Sequence, residues 1–86
     1  INTGPYADAH DDARPQQVSR IRESADRAAR LGLEVLAGHG LNYVNVRPIV
    51  GVPHIIELNI GHSIVARAVL VGLDRAVREM VTLLRR

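Results

Sequence analysis

Apolar residues between positions 13 and 31 recur three or four apart, at Val18, Ile21, Ala25, Ala28 and Leu31. That spacing predicts an amphipathic helix whose solvated side carries the interspersed arginines and acids from Arg14 to Arg30. Pro15 suits its first turn, Asp11 or Asp12 is placed to cap it, and Gly32 supplies a left-handed stop. Leu33 to Leu36 is an apolar run of strand length, leading into a turn at Gly38-His39-Gly40. Asn45 is placed to cap a short helix through Val50, with Pro48 in the first turn, where no backbone donor is needed, and Gly51-Val52-Pro53 to end it. Ile55 to Leu58 is a second strand-length run and closes on Asn59-Ile60-Gly61-His62. Ser63 to Val71 is nearly all apolar and helix-like, and Gly72 interrupts it. Asp74 then caps a last helix with a buried stripe of Ala76, Val77, Met80, Val81 and Leu84, leaving Arg75, Arg78, Arg85 and Arg86 outside.

The order is turn, helix, strand, helix, strand, helix, helix. Strands alternating with helices imply parallel strands joined by crossover helices, in an α/β fold. Short apolar strands fit a sheet buried on both faces. Two strands alone would leave both edges unpaired, and Ile1-Asn2-Thr3-Gly4 reads as the tail of a third. The expectation is therefore the last two and a half strand–helix units of a larger α/β protein, with residues 1–86 forming part of one domain. A start on Ile1 in place of Met fits a piece of a longer chain.

Composition narrows the function classes. The chain has 86 residues, 47% hydrophobic and 23% charged, as in a globular domain. Cysteine is absent, which removes disulfide and thiolate chemistry. All 11 basic residues are arginine, and against 9 acids the formal net charge is +2. With only 2% aromatics, no basic cluster is interleaved with stacking rings, so no nucleic-acid partner is expected. No apolar run approaches the roughly 20 residues of a membrane span, and the N-terminus lacks the basic and apolar regions of a signal peptide. A cytoplasmic protein without membrane partners is expected.

In strand–helix folds, chemistry collects where strands end and helices begin. Three such edges stand in this chain: Asn2-Thr3-Gly4, Gly38-His39-Gly40 and Asn59-Ile60-Gly61-His62. His39, between two glycines, is little shielded and titrates near neutrality, so it suits proton transfer; the plainer alternative is a turn histidine. Gly61-His62 runs straight into a helix, whose free N–H groups and dipole make an anion site; the plainer alternative is a flexible helix entry. His10 and His54 are expected at the surface. A metal site from His39 and His62 is open in principle, but no carboxylate is spaced as in a known ligand motif, so no metal is expected; no cofactor is expected either. Glu34 and Glu57 either face a barrel interior or pair with arginine. Thr3 and Asn59 either hydrogen-bond a substrate or cap their turns.

Three ordered stretches carry a resemblance: "NTGPYADA", "AGHGLNYVNV" and "ELNIGHSIVARAVLVGLDRAVREM". They closely resemble the C-terminal part of the pyridoxine 5′-phosphate synthase family of vitamin B6 biosynthesis, over essentially the whole chain. The resemblance implies a (β/α)8 TIM barrel, of which this chain would run from the end of strand 6 through the last helices, assembled as a homo-octamer. It implies condensation of 3-amino-2-oxopropyl phosphate with 1-deoxy-D-xylulose 5-phosphate to pyridoxine 5′-phosphate, phosphate and water. By motif, His39 corresponds to the family's proton donor. Gly40, Gly61 and His62 correspond to residues binding the aminooxopropyl phosphate. The family's histidine and glutamate general bases lie on earlier strands, a further catalytic glutamate just precedes the match to Ile1, and Asn2 stands where the family usually has His. The chain alone is therefore expected to be inactive. The alternatives are a free-standing phosphate-binding or interaction module built from a partial barrel, and an unrelated phosphate-handling barrel such as an isomerase.

Overall fold

A computed structural model describes residues 1–85; Arg86, expected on the outer side of the last helix, lies outside the described residues. The elements in order are α1 (Gly4–Asp8), α2 (Arg14–Arg30), β1 (Val35–Gly38), α3 (Val46–Val50), β2 (Ile55–Asn59), α4 (His62–Val71) and α5 (Leu73–Leu84). The fold is mixed α/β, and β1 and β2 pair in parallel as expected. Residues 1–3 flank β1 on its other edge: Asn2 forms a parallel bridge with Gly38, Gly38 N–H donates to the Ile1 carbonyl (3.1 Å), and Thr3 N–H donates to the Gly38 carbonyl (2.7 Å). The tail of a third strand is thus present, with β1 between it and β2.

The helix expected over 13–31 forms at Arg14–Arg30 with Pro15 in its first turn. Neither Asp11 nor Asp12 caps it. Residues 11–13 make a turn of their own, with Ala13 N–H on the His10 carbonyl (2.9 Å). Ala13 enters with helical dihedrals (φ −94°, ψ −11°) in place of the extended ones that aim a capping side chain at the first turn. Asp11 pairs instead with Arg14 at 3.5 Å. At the other end Gly32 (φ +81°) makes the expected left-handed stop: its N–H bonds the Ala29 carbonyl (3.0 Å), and Leu33 N–H reaches the Ala28 carbonyl (3.1 Å). This Schellman closure consumes Leu33. The first strand therefore starts two residues later than the apolar run suggested, and Leu31 and Leu33 stay exposed.

The sheet is covered on one face only. Val35, Ala37 and Ile55 are buried toward α2, α3 and α5, whereas Leu36, Glu57 and Asn59 share the opposite, exposed face. The expectation of strands buried on both faces is not met among the described residues, because every helix that packs on the strands lies on the same side. Glu57 stands on that open face, and neither it nor Glu34 joins an ion pair among the described residues.

Two further caps differ from expectation. Asn45 occupies the position before α3, but its side chain turns back to the preceding loop. Gly72 (φ +89°) precedes α5, so Asp74 falls inside the first turn, where its carboxylate bonds the Arg78 guanidinium one turn on. The buried arc of α5 holds Ala76 and Met80, with Leu83 and Leu84 packed beside it; Val77 and Val81 are more than 40% exposed. The stripe is narrower than its apolar pattern. α4 packs along α5, and the two are joined by Arg67, whose guanidinium donates two hydrogen bonds to the Glu79 carboxylate (3.0 and 3.2 Å), while Arg75 adds a third (3.1 Å). Those bonds, Arg67 first, hold the Glu79 carboxyl below its ordinary value, against the opposing effect of desolvation.

Candidate functional site

The loop after β1 takes an unusual backbone. His39 has φ +90° and Gly40 φ +77°. A left-handed histidine costs about 1–3 kcal/mol and persists only where its surroundings over-determine it. Here they do. The Thr3 hydroxyl donates to the His39 carbonyl at 2.7 Å, and the Asn45 amide donates to the Gly40 carbonyl at 3.1 Å. Asn45 Oδ1 accepts from Asn42 N–H (2.7 Å), and Asn42 Oδ1 in turn accepts from the N–H groups of Val44 and Asn45 (2.8 Å each). The phenol of buried Tyr6 donates to the Asn45 carbonyl at 2.6 Å, and its desolvation raises the Tyr6 pKa. Gly40 itself admits no side chain, since a Cβ there would lie 2.7 Å from the Ala7 methyl.

The second edge is the start of α4. The helix begins at His62, one residue before the expected Ser63, with Gly61 at its N-cap. No side chain caps this end, so the first-turn N–H groups are left for solvent or a ligand, with the positive end of the helix dipole behind them. Ser63 ties this end to the other loop by donating its hydroxyl hydrogen to the Leu41 carbonyl (3.0 Å). Gly61 has φ −133°, and a Cβ built on it meets nothing within 4 Å. Neither backbone conformation nor packing within the described chain demands glycine there.

His39, Gly40, Gly61 and His62, the four residues singled out in the sequence, line one recess of about 900 Å³ together with Asn42, Asn59 and Ser63. No acidic side chain is among its described lining residues. Two imidazoles, amide and hydroxyl groups and an open helix N-terminus make it hospitable to a small anion. A shallower recess of about 350 Å³ lies on the open face of the sheet, lined by Asn2, Leu36, Gly38 and again His39 and Asn59. His39 and Asn59 thus stand between the two. Asn42 and Ser63 were not anticipated; the signal for Asn42 was a small polar residue just after a glycine turn, and for Ser63 a hydroxyl at a helix start.

Other candidates fall elsewhere. Thr3 is fully buried, with its hydroxyl committed to His39, so it holds a turn and does not meet a ligand. His10 is exposed, and His54 is at the surface, 3.7 Å from Asp26. Among the described residues no group of three or more His, Cys, Asp or Glu is arranged to hold a metal, and no helix is long and apolar enough to cross a membrane.

Parallel strands, crossover helices and a histidine-bearing recess at the carboxyl ends of the strands define an α/β protein of repeating strand–helix units. Within that class, residues 1–86 match the family described as pyridoxal phosphate biosynthesis protein PdxJ, and the chain belongs to that family. The pyridoxine 5′-phosphate synthase of Trichlorobacter lovleyi is 59% identical over 87 residues, which cover 100% of this chain and 36% of that protein. That of Parasynechococcus marenigrum is 58% identical, covering 98% of this chain and 34% of that protein. The synthase of Geobacter metallireducens is 52% identical over 99% of this chain and 36% of that protein. The chain therefore spans about a third of the length of these curated relatives.

Proposed function

We propose that these 86 residues are the C-terminal part of a pyridoxine 5′-phosphate synthase, a (β/α)8 barrel of the cytoplasm that works as a homo-octamer in vitamin B6 biosynthesis. The reaction joins 3-amino-2-oxopropyl phosphate to 1-deoxy-D-xylulose 5-phosphate and releases phosphate and water. The observation that carries the reading is the convergence of His39, Gly40, Gly61 and His62 on one recess at the strand ends, in a chain whose relatives bear that enzyme's name.

The roles follow from position. The phosphate of the amino substrate sits against the first N–H groups of α4, where full hydrogen bonds and the helix dipole meet its charge. Gly61 leaves that approach open, His62 flanks it, and Gly40 brings the loop backbone to the same ligand. His39, exposed and between the two recesses, gives a proton to the reacting intermediate. The groups that take protons come from outside these residues, so the chain by itself does not run the condensation.

The test is His39→Ala in the complete synthase. General acid–base groups contribute about 10²–10⁴-fold in rate. A fall in kcat of that order is expected, with a modest change in KM for the amino substrate. A strong rise in KM at unchanged kcat would make His39 a binding residue and overturn the assignment.

A further inference from the structure

We propose that Thr3 is a positioning residue for His39; the proposal rests on the reading of His39 as the proton donor. Thr3 grips the end of β1 twice. Its backbone N–H donates to the Gly38 carbonyl at 2.7 Å, and its side-chain hydroxyl donates to the next carbonyl, that of His39, also at 2.7 Å. The side chain is fully buried, so no water competes for that carbonyl from the Thr3 side.

This second bond acts on the peptide between His39 and Gly40, both of which have left-handed φ. Holding that carbonyl sets ψ of His39 and φ of Gly40 together, and hence the direction in which the imidazole leaves the strand end. The ring then lies beside Gly4, with His39 Cδ2 3.0 Å from the place a Gly4 Cβ would occupy. From there it borders both recesses. The Asn45 amide on the Gly40 carbonyl secures the far side of the same turn. Release of the Thr3 hydroxyl leaves the His39 carbonyl without that donor and frees the turn to relax toward a right-handed backbone, which carries the ring away from the reacting atoms.

Thr3→Val removes the hydroxyl and keeps the branched shape, and Thr3→Ser keeps the hydroxyl. In the complete synthase, kcat of Thr3→Val should fall by about tenfold, the scale of one lost hydrogen bond, at nearly unchanged KM for both substrates. Thr3→Ser should restore the rate to within about twofold. In a His39→Ala background, Thr3→Val should cause no further loss, because the hydroxyl works only through the histidine. A wild-type rate in Thr3→Val, failure of Thr3→Ser to restore it, or a full additional loss in the double variant would each overturn the proposal and leave the proton-donor role standing. An unchanged rate in His39→Ala alone would strike down the proton-donor role and this proposal with it. If circular dichroism shows Thr3→Val unfolded, Thr3→Ala replaces it in the same cycle and is judged by the same outcomes.

Discussion

Gly40 and Gly61 are both glycines at a candidate phosphate site, yet they stand there for different reasons. Gly40 has a left-handed φ and the Ala7 methyl 2.7 Å from where its Cβ would lie. Gly40→Ala should therefore destabilise the complete protein by about 1–3 kcal/mol, read as a lowered melting temperature, whether or not a ligand is present. Gly61 carries neither restriction. Gly61→Val should melt as the parent does, while its side chain enters the space in front of the α4 N–H groups. Calorimetric titration should show binding of 3-amino-2-oxopropyl phosphate weakened at least about tenfold, roughly 1.4 kcal/mol, with 1-deoxy-D-xylulose 5-phosphate little affected. Unchanged binding of the amino substrate in the folded variant would remove the anion site from this position. The pair separates a glycine required by the fold from one left open for a ligand.

At the scale of elements, the helix that presents the candidate anion site has little burial of its own. None of the residues of α4 is fully buried, and Val65, Val69 and Leu70 are each more than 60% exposed. Its placement depends on α5, through the two hydrogen bonds from Arg67 to Glu79. The Glu79 carboxyl lies below its ordinary value of 4.5, chiefly through the Arg67 hydrogen bond. A lowered folded-state pKa means that the stabilisation is present above the unfolded value and is lost as pH falls through the folded one. Glu79→Gln should thus lower the melting temperature of the complete protein at pH 7, and the gap to the parent should close as the pH is taken below the carboxylate range. Both partners are partly exposed, so the effect is modest and shrinks in high salt. A gap independent of pH would show that Glu79 acts here by packing and not by charge.

At the scale of the whole molecule, apolar surface is distributed as in a piece of a closed structure. Ile56 on β2, Val69 and Leu70 on α4 and Leu73 on α5 are each more than 60% exposed, and the face of the sheet bearing Leu36 has no cover among the described residues. Surfaces of this kind drive association, and among the described residues no further strand extends the sheet beyond β2. The 86-residue chain expressed by itself should sediment as a mixture of self-associated species and melt without a sharp transition. A compact monomer with a cooperative melt would mean that these surfaces are tolerated in water and that the chain is a self-sufficient module.

Local signals in the sequence determined what depends on neighbours along the chain. The three- and four-residue spacing of Val18, Ile21, Ala25 and Ala28 marked α2, and Gly32 marked its end, because helix periodicity and the left-handed stop are properties of a few consecutive residues. The alternation of strands with helices implied parallel pairing, and the strand-end glycine–histidine pairs pointed to the residues that line the recess. Tertiary structure decided the rest. Which aspartates cap a helix depended on the dihedral of the residue before it, so Asp11, Asp12 and Asp74 went to arginines or solvent. The breadth of the buried stripe on α5 depended on which of its faces other elements cover, and Val77 and Val81 stay more than 40% exposed although they fit the apolar pattern. The part of Thr3 was hidden for the same reason. Its partner lies 36 residues away in the chain, and only the parallel pairing of residues 1–3 with β1 brings the hydroxyl beneath the His39 carbonyl. No local pattern reports whether a buried hydroxyl meets a ligand or a backbone carbonyl, since that choice is made by strand register.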